Sequence, residues 1–165
     1  TYYREHSPST VAGMSGGLTL YSVTCTGFGP FFSFVAQPLV IDTNGVPSVL
    51  ASPPAVAKFL SDHTKSVKNL EEARESLLTF ADLQSFSICK QLPKELEGAS
   101  EGKDPDWGAK WAYLEEESKD GWVFTCAFRT DPKLASYWRF RIVVNRSGRV
   151  SADRVGLLYS TDGAL

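Results

Sequence analysis

Few side chains in this sequence could perform nucleophilic or metal-assisted chemistry, since there are only two histidines and three cysteines. Nucleophilic catalysis needs a nucleophile, a base and a group that orients the base. His6 lies in a polar N-terminal stretch, and His63 lies in SDHTK, near the end of a predicted helix. A histidine there can close the last turn and interact with the helix dipole. We interpret His63 as a helix-terminal residue, and proton transfer at a binding site is the alternative.

The cysteines and carboxylates show no spacing that is typical of a metal site. Each cysteine lies in a predicted strand, which favours small buried thiols over one disulfide plus an odd thiol. These cysteines are Cys25, Cys89 and Cys126. The run EEE at 115–117 precedes a predicted turn, where acids are usually solvated, and Asp104 and Asp106 lack the further oxygen ligands that calcium requires. The motifs HExxH and the P-loop are absent, and GMSGG at 13–17, although it has the spacing GxSxG, lies in a polar Gly/Ser-rich stretch that is not followed by a predicted helix. We therefore expect neither a metal nor a cofactor, and we assign no catalytic residue.

Charge is distributed unevenly along the second half of the chain. Residues 94–120 contain nine acids and four bases, whereas residues 129–154 contain seven bases and two acids. Arg139 and Arg141 alternate with apolar side chains in YWRFRIVV, so they lie on the sheet face opposite the aromatic residues. Two interpretations remain open for these arginines: a solvated face that balances nearby glutamates, or a binding patch for an acidic partner.

Aromatic residues around the end of the acidic segment could line a pocket between helices and sheet. The residues on which such a pocket would draw are Trp107, Trp111, Tyr113 and Trp122. In that arrangement His63 would be the only group suited to proton transfer. This small-ligand or enzyme site is an alternative to an exposed interaction patch.

Strand and helix signals divide the chain into three parts. Alternation and β-branched residues predict strands over 17–25, 31–42 and 46–51, with Asn44-Gly45 as a hairpin turn. Ser52 followed by two prolines predicts a helix start, and Asn69 with Glu72 predicts a capping box for a second helix. Residues 84–92 return to strand. An exposed acidic loop is expected over 94–108.

The remainder of the chain predicts a four-strand antiparallel meander. Its strands are KWAYLEEE, WVFTCAFR, YWRFRIVV and RVSADRVGLLY, joined by short connections. Strands, two helices and then strands imply a two-layer α+β fold with a mainly antiparallel sheet, in which the aromatic face of the meander packs on the two central helices. The layout over 69–150 resembles small helix-on-meander modules such as the PepSY and cystatin-like groups. The ending RIVVNRSGRV is similar to the strand–turn–strand close of a PepSY unit, and this resemblance implies the fold alone.

Length and composition are those of an ordinary globular domain. The 165 residues carry a formal net charge of −2, which argues against a nucleic-acid partner because phosphate contacts require a large Lys/Arg excess. The longest weakly polar run, 27–42, is too short for a membrane span and contains two prolines. We expect a loosely ordered arm over 1–16 and one α+β domain over 17–165.

These observations favour a non-catalytic binding or interaction module, with a protein or small-molecule partner that the sequence does not identify. The alternatives are a ligand-binding protein or enzyme with a pocket between helices and sheet, and a regulatory or inhibitory module that acts through its hairpin loops. The chain begins TYYREH and its single methionine is Met14, which indicates a processed or truncated form. The compartment therefore stays open, and an extracytoplasmic or membrane-anchored parent protein is one alternative.

Overall fold

The described residues form two antiparallel sheets and two α-helices, in the α+β fold that the sequence predicts. The computed structural model describes residues 2–6, 19–24, 36–41, 44–98, 106–131 and 135–161. The first sheet has the order β1-β2-β3-β4. Its strands are β1 (Tyr2–His6), β2 (Thr19–Thr24), β3 (Ala36–Ile41) and β4 (Pro47–Val49). Consecutive strands therefore pair along this sheet, as hairpin connections favour.

The N-terminal segment differs from the expected arm, because its first residues form strand β1. Tyr2 pairs with Thr24 and His6 pairs with Leu20, in antiparallel register with β2. Tyrosine favours strands, and the ladder to β2 gives the backbone of this polar segment its hydrogen-bond partners. Residues 7–16 of the expected arm lie outside the described part of the chain.

The two helices begin where the capping residues predict. Helix α1 (Pro53–His63) follows Ser52, whose side chain accepts a hydrogen bond from the backbone N–H of Ala55. Helix α2 (Leu70–Leu83) follows Asn69, whose side chain accepts from the N–H of Glu72 at 3.0 Å. Both caps satisfy donors that have no partner within the helix.

The second sheet contains the predicted meander, and its strands run in the order β6-β7-β8-β9. They are β6 (Leu114–Ser118), β7 (Gly121–Asp131), β8 (Ser136–Asn145) and β9 (Val150–Tyr159). A short fifth strand, β5 (Ser87–Cys89), also pairs with β7. β8 pairs with one edge of β7, so β5 and β6 both pair with the other edge, where they lie end to end. The gap between β5 and β6 lies opposite Cys126.

The main core lies between the helices and one face of the second sheet, as the alternation predicts. The register pairs Cys126 with Phe140 and Phe124 with Ile142, and all four side chains are buried. The ring of Phe140 contacts those of Phe80 and Phe128 edge-on, with centroids 6.3 and 5.3 Å away. Aromatic contacts of this kind add to the free energy gained by burying the rings.

The opposite face of the second sheet is covered in part by two stretches of the connection between β5 and β6, residues 92–96 and 107–111. Two short 3₁₀ helices, Lys94–Leu96 and Gly108–Trp111, bring Leu96 and Trp111 onto Ala127 and Tyr137. Leu96 and Trp111 are both buried, so the segment predicted as an exposed loop over 94–108 contributes to a second core. Residues 99–105 of that predicted loop lie outside the described part.

Candidate functional site

A cleft of about 370 Å³ opens between α2 and the split edge of the second sheet. Its position follows from the split: β5 ends at Cys89, β6 begins at Leu114, and the chain leaves the sheet between them. Its lining combines apolar side chains with charged ones: Arg74, Leu77, Leu78, Ile88, Lys90, Tyr113 and Glu115. Its volume lies at the lower end of the range of small-molecule sites.

One wall of the cleft is a hydrogen-bonded network centred on Glu115. Arg74 donates two hydrogen bonds to this carboxylate, from Nε to Oε1 at 2.9 Å and from Nη2 to Oε2 at 2.7 Å. The hydroxyl of Tyr113 donates to Oε1 at 2.7 Å. Arg74 also donates to Glu71, which is exposed and does not line the cleft. Bidentate contact between guanidinium and carboxylate fixes both side chains more firmly than a single charged contact does.

These contacts shift the pKa values of the network. The hydrogen bonds from Arg74 hold the pKa of Glu115 below its ordinary value, although partial burial opposes that shift. Burial, followed by the hydrogen bond to Glu115, raises the pKa of Tyr113 well above its ordinary value. At neutral pH Glu115 is therefore ionised and Tyr113 keeps its proton.

Lys90 supplies a second positive charge on the cleft. It is exposed, and its ammonium group lies 5.7 Å from the centroid of the Tyr113 ring. Lys90 forms no ion pair with any residue that the structure describes. The lining thus carries two positive side chains and one negative side chain, and the negative one is already bonded by Arg74.

The other wall of the cleft is apolar. Leu77 is fully buried and belongs to the main core, whereas Leu78 is 54% exposed. Ile88 projects from β5 toward the same core. An exposed leucine next to a cleft provides apolar surface that a ligand could remove from water.

The aromatic residues predicted to share one pocket are separated by the sheet. Tyr113 lines the cleft, but Trp107 and Trp111 belong to the second core on the opposite face. Trp122 is buried on the helix face, where the guanidinium group of Arg146 lies over its ring at 4.4 Å. The separation arises because the 3₁₀ helix Gly108–Trp111 packs on the far face of the sheet, whereas Tyr113 packs against the main core.

His63 lies in the last turn of α1, outside the cleft lining. Its Nδ1–H donates to the carbonyl oxygen of Phe59 at 2.8 Å, and its ring stacks on that of Phe59 at a centroid distance of 4.2 Å. These contacts are those of a helix-terminal side chain.

The two arginines of β8 have different surroundings, although both lie on the predicted face. Arg139 donates to the carbonyl oxygens of Ala109 and Lys110, in the 3₁₀ helix that ends the 90–113 segment. Arg141 is exposed and lies opposite Asp153 in the β8–β9 register. Arg139 therefore holds the 3₁₀ helix Gly108–Trp111 on the sheet. Of the two arginines, Arg141 alone has the solvated position that was expected for both.

Arg74, Lys90 and Glu115 were not predicted from the sequence as site residues. For Glu115 a signal was present, because the turn pairs Ser118 with Gly121 and thereby places Glu115 opposite Phe124, on the helix face. For Arg74 the signal was its place four residues after Leu70 in α2, at the margin of the apolar stripe. Bringing these residues together requires the tertiary packing of α2 on the sheet edge.

The described residues contain no group of three His, Cys, Asp or Glu side chains that could hold a metal ion. None of the described helices is long and apolar enough to cross a membrane. Comparison of the chain with protein-family models, with curated proteins and with solved structures found no match. The resemblance to PepSY and cystatin-like modules therefore rests on layout alone.

Proposed function

We propose that this protein is a non-catalytic binding module and that the cleft between α2 and the split sheet edge binds its small-molecule partner. The observation that carries the proposal is the lining itself. The apolar side chains of Leu77, Leu78 and Ile88 line the same cleft as polar groups whose geometry is fixed by hydrogen bonds. Concave sites that combine apolar surface with a few oriented polar groups are typical of ligand binding.

The chemistry of the polar wall favours binding over catalysis. Both carboxylate oxygens of Glu115 accept hydrogen bonds, and its pKa is lowered, so it is a weak base. Tyr113 donates its proton to Glu115, and its raised pKa disfavours a nucleophilic phenolate. A general base with a pKa near neutrality would be required for efficient proton transfer.

Isothermal titration calorimetry with three six-carbon probes tests the proposal. Hexanoate, hexanamide and hexylammonium share the same apolar chain and differ in charge. We expect saturable binding of at least one probe to the wild-type protein. Leu78→Trp should weaken that binding at least about fivefold, because the larger ring occupies the cleft at an exposed position where the fold tolerates it.

Val155→Trp is the matched control, because Val155 is 58% exposed and lies on β9, at the other edge of the sheet. This variant should bind the probes as the wild type does. Absence of binding by all three probes, or equal weakening by both tryptophan variants, would refute the cleft as a binding site.

A further inference from the structure

We infer that the cleft selects a small carboxylate with a short apolar chain, and that Lys90 binds its anionic group. This inference rests on the proposed function, because it names the ligand class of the same site. It follows from the separate roles of the three charged side chains in the lining. They are Arg74, Lys90 and Glu115.

Arg74 and Glu115 satisfy each other. The guanidinium group gives Nε and Nη2 to Glu115 and Nη1 to Glu71, and Glu115 has no carboxylate oxygen without a donor. Arg74 thereby uses three of its five N–H groups on two neighbouring carboxylates, which already balance its charge. The pair therefore acts as a fixed wall, and Arg74 is a positioning residue.

Lys90 is the charge that remains available. Its position over the ring of Tyr113, at 5.7 Å, keeps the ammonium group beside the cleft, since a cation is attracted to the face of an aromatic ring. Tyr113 is itself held by its hydrogen bond to Glu115. The network thus orients the aromatic ring over which Lys90 lies.

The charge of the ligand follows from this arrangement. A cationic head group would meet the positive charges of Lys90 and Arg74, and both oxygens of Glu115 already accept hydrogen bonds from Arg74 or Tyr113. A neutral head group would gain no ionic contact. A carboxylate would form an ion pair with Lys90 while its chain covers Leu78 and Ile88, which line the same cleft. An apolar acid therefore satisfies charge complementarity and apolar contact together.

The order of affinities among the three six-carbon probes tests the inference at neutral pH. Hexanoate should bind about fivefold more tightly than hexanamide, a ratio appropriate to one partly exposed ion pair, and hexylammonium should bind most weakly. Added sodium chloride should reduce the preference for hexanoate, because salt screens exposed charges. The affinity for hexanamide should stay constant.

Lys90→Gln should bring the affinity for hexanoate to that for hexanamide and leave hexanamide binding unchanged. Lys119→Gln removes the same charge from an exposed position in the β6–β7 turn and should preserve the preference. If the probes bind but hexanoate does not bind most tightly, or if Lys90→Gln keeps the preference for hexanoate, the inference is wrong. The proposal that the cleft binds a small molecule would then still hold. If no probe binds the wild type, the proposed function and the inference both fail.

Discussion

Arg74 and Glu115 lie 41 residues apart in the chain and meet through two hydrogen bonds that connect α2 to β6. β6 pairs with no described strand on its outer side. The side-chain contact between Arg74 and Glu115 therefore connects this edge of the sheet to α2. The same contact forms the polar wall of the cleft. The attachment of this sheet edge to α2 and the polar side of the candidate site therefore involve the same pair of residues.

Glu115→Gln should reduce the dependence of stability on pH in the acid range. The folded state lowers the pKa of Glu115, so its stabilising contribution is present above the unfolded pKa of about 4.3 and is lost as the pH falls through the lower folded value. The urea midpoint of the wild type should thus decline as the pH is lowered below about 4.3. The midpoint of Glu115→Gln should decline less.

Glu116→Gln is the control for this measurement, because Glu116 is the exposed neighbour on the opposite face of β6. It should retain the full decline of the wild type. Glu95, whose pKa is also lowered, should leave a residual decline in the Glu115 variant. An unchanged pH dependence in Glu115→Gln would contradict the network.

Phe140→Ala should lower the free energy of unfolding by about 3–5 kcal/mol, as truncation of a buried aromatic side chain does. Phe140 is fully buried and contacts Phe80 and Phe128. Arg141→Ala, at the next and exposed position, should change it by less than about 0.5 kcal/mol. Urea denaturation of both variants measures the difference, and comparable losses would show that the facing of β8 is wrong.

Gly148→Ala should destabilise the protein more than Gly45→Ala does. Both glycines have positive φ, +85° at Gly148 and +78° at Gly45. A Cβ at Gly148 would lie 2.3 Å from the carbonyl oxygen of Lys65, whereas a Cβ at Gly45 would meet open space. We expect a loss of about 1–2 kcal/mol at Gly45 from backbone strain alone, and about 1–3 kcal/mol more at Gly148 from the clash.

Thermal and urea unfolding of the two alanine variants would measure this contrast. The β8–β9 turn also contacts the connection between the helices through the Val67 N–H, which donates to the carbonyl of Arg146 at 2.9 Å. Equal losses at Gly148 and Gly45 would mean that the turn does not pack against that connection.

The thiol of Cys126 should resist alkylation in the native protein. Cys126 is fully buried, and burial raises its pKa to about 12, so almost no reactive thiolate is present at neutral pH. In a Cys25→Ser, Cys89→Ser variant, iodoacetamide should modify Cys126 only as urea unfolds the chain. Modification at the rate of a free thiol in native buffer would refute this placement.

Cys89 and Cys126 are free thiols in the structure, and Cys25 lies outside the described residues. All three cysteines of the wild type are predicted to be reduced. Mass spectrometry after alkylation without reductant should therefore find three modified cysteines in the unfolded protein. Recovery of a disulfide would indicate an oxidising compartment.

The elements of the fold were largely predictable because their signals are local. Asn69 and Ser52 marked the helix starts, and alternation fixed which side of β7 and β8 faces the helices. The strand at Tyr2–His6 was missed because its pairing with β2 is non-local and its residues are mostly polar. The second core was not predicted, because Trp111 and Leu96 lie in a segment whose apolar residues follow neither helix nor strand spacing.

The site was less predictable than the fold, because it depends on where the edge strand is interrupted. Lys90 and Tyr113 lie 23 positions apart along the numbering and meet only because the chain leaves the sheet after Cys89 and returns at Leu114. The contact between Lys90 and Tyr113 could therefore not be predicted from composition or local sequence patterns. The alternation of Arg139 and Arg141 in β8 predicted a solvated face or a binding patch. Arg139 instead donates hydrogen bonds to the backbone carbonyls of Ala109 and Lys110.

Mapping of hexanoate on the protein by two-dimensional ¹H–¹⁵N NMR tests the central claim most directly. At increasing hexanoate, we expect saturable shifts of the backbone amides of Leu78, Ile88 and Tyr113, which lie on three separate segments around the cleft. The amides of Arg141 and Val155, on the opposite face and the far edge, should remain unchanged. Shifts confined to the Arg141 face, or no saturable shift at the cleft, would contradict the account.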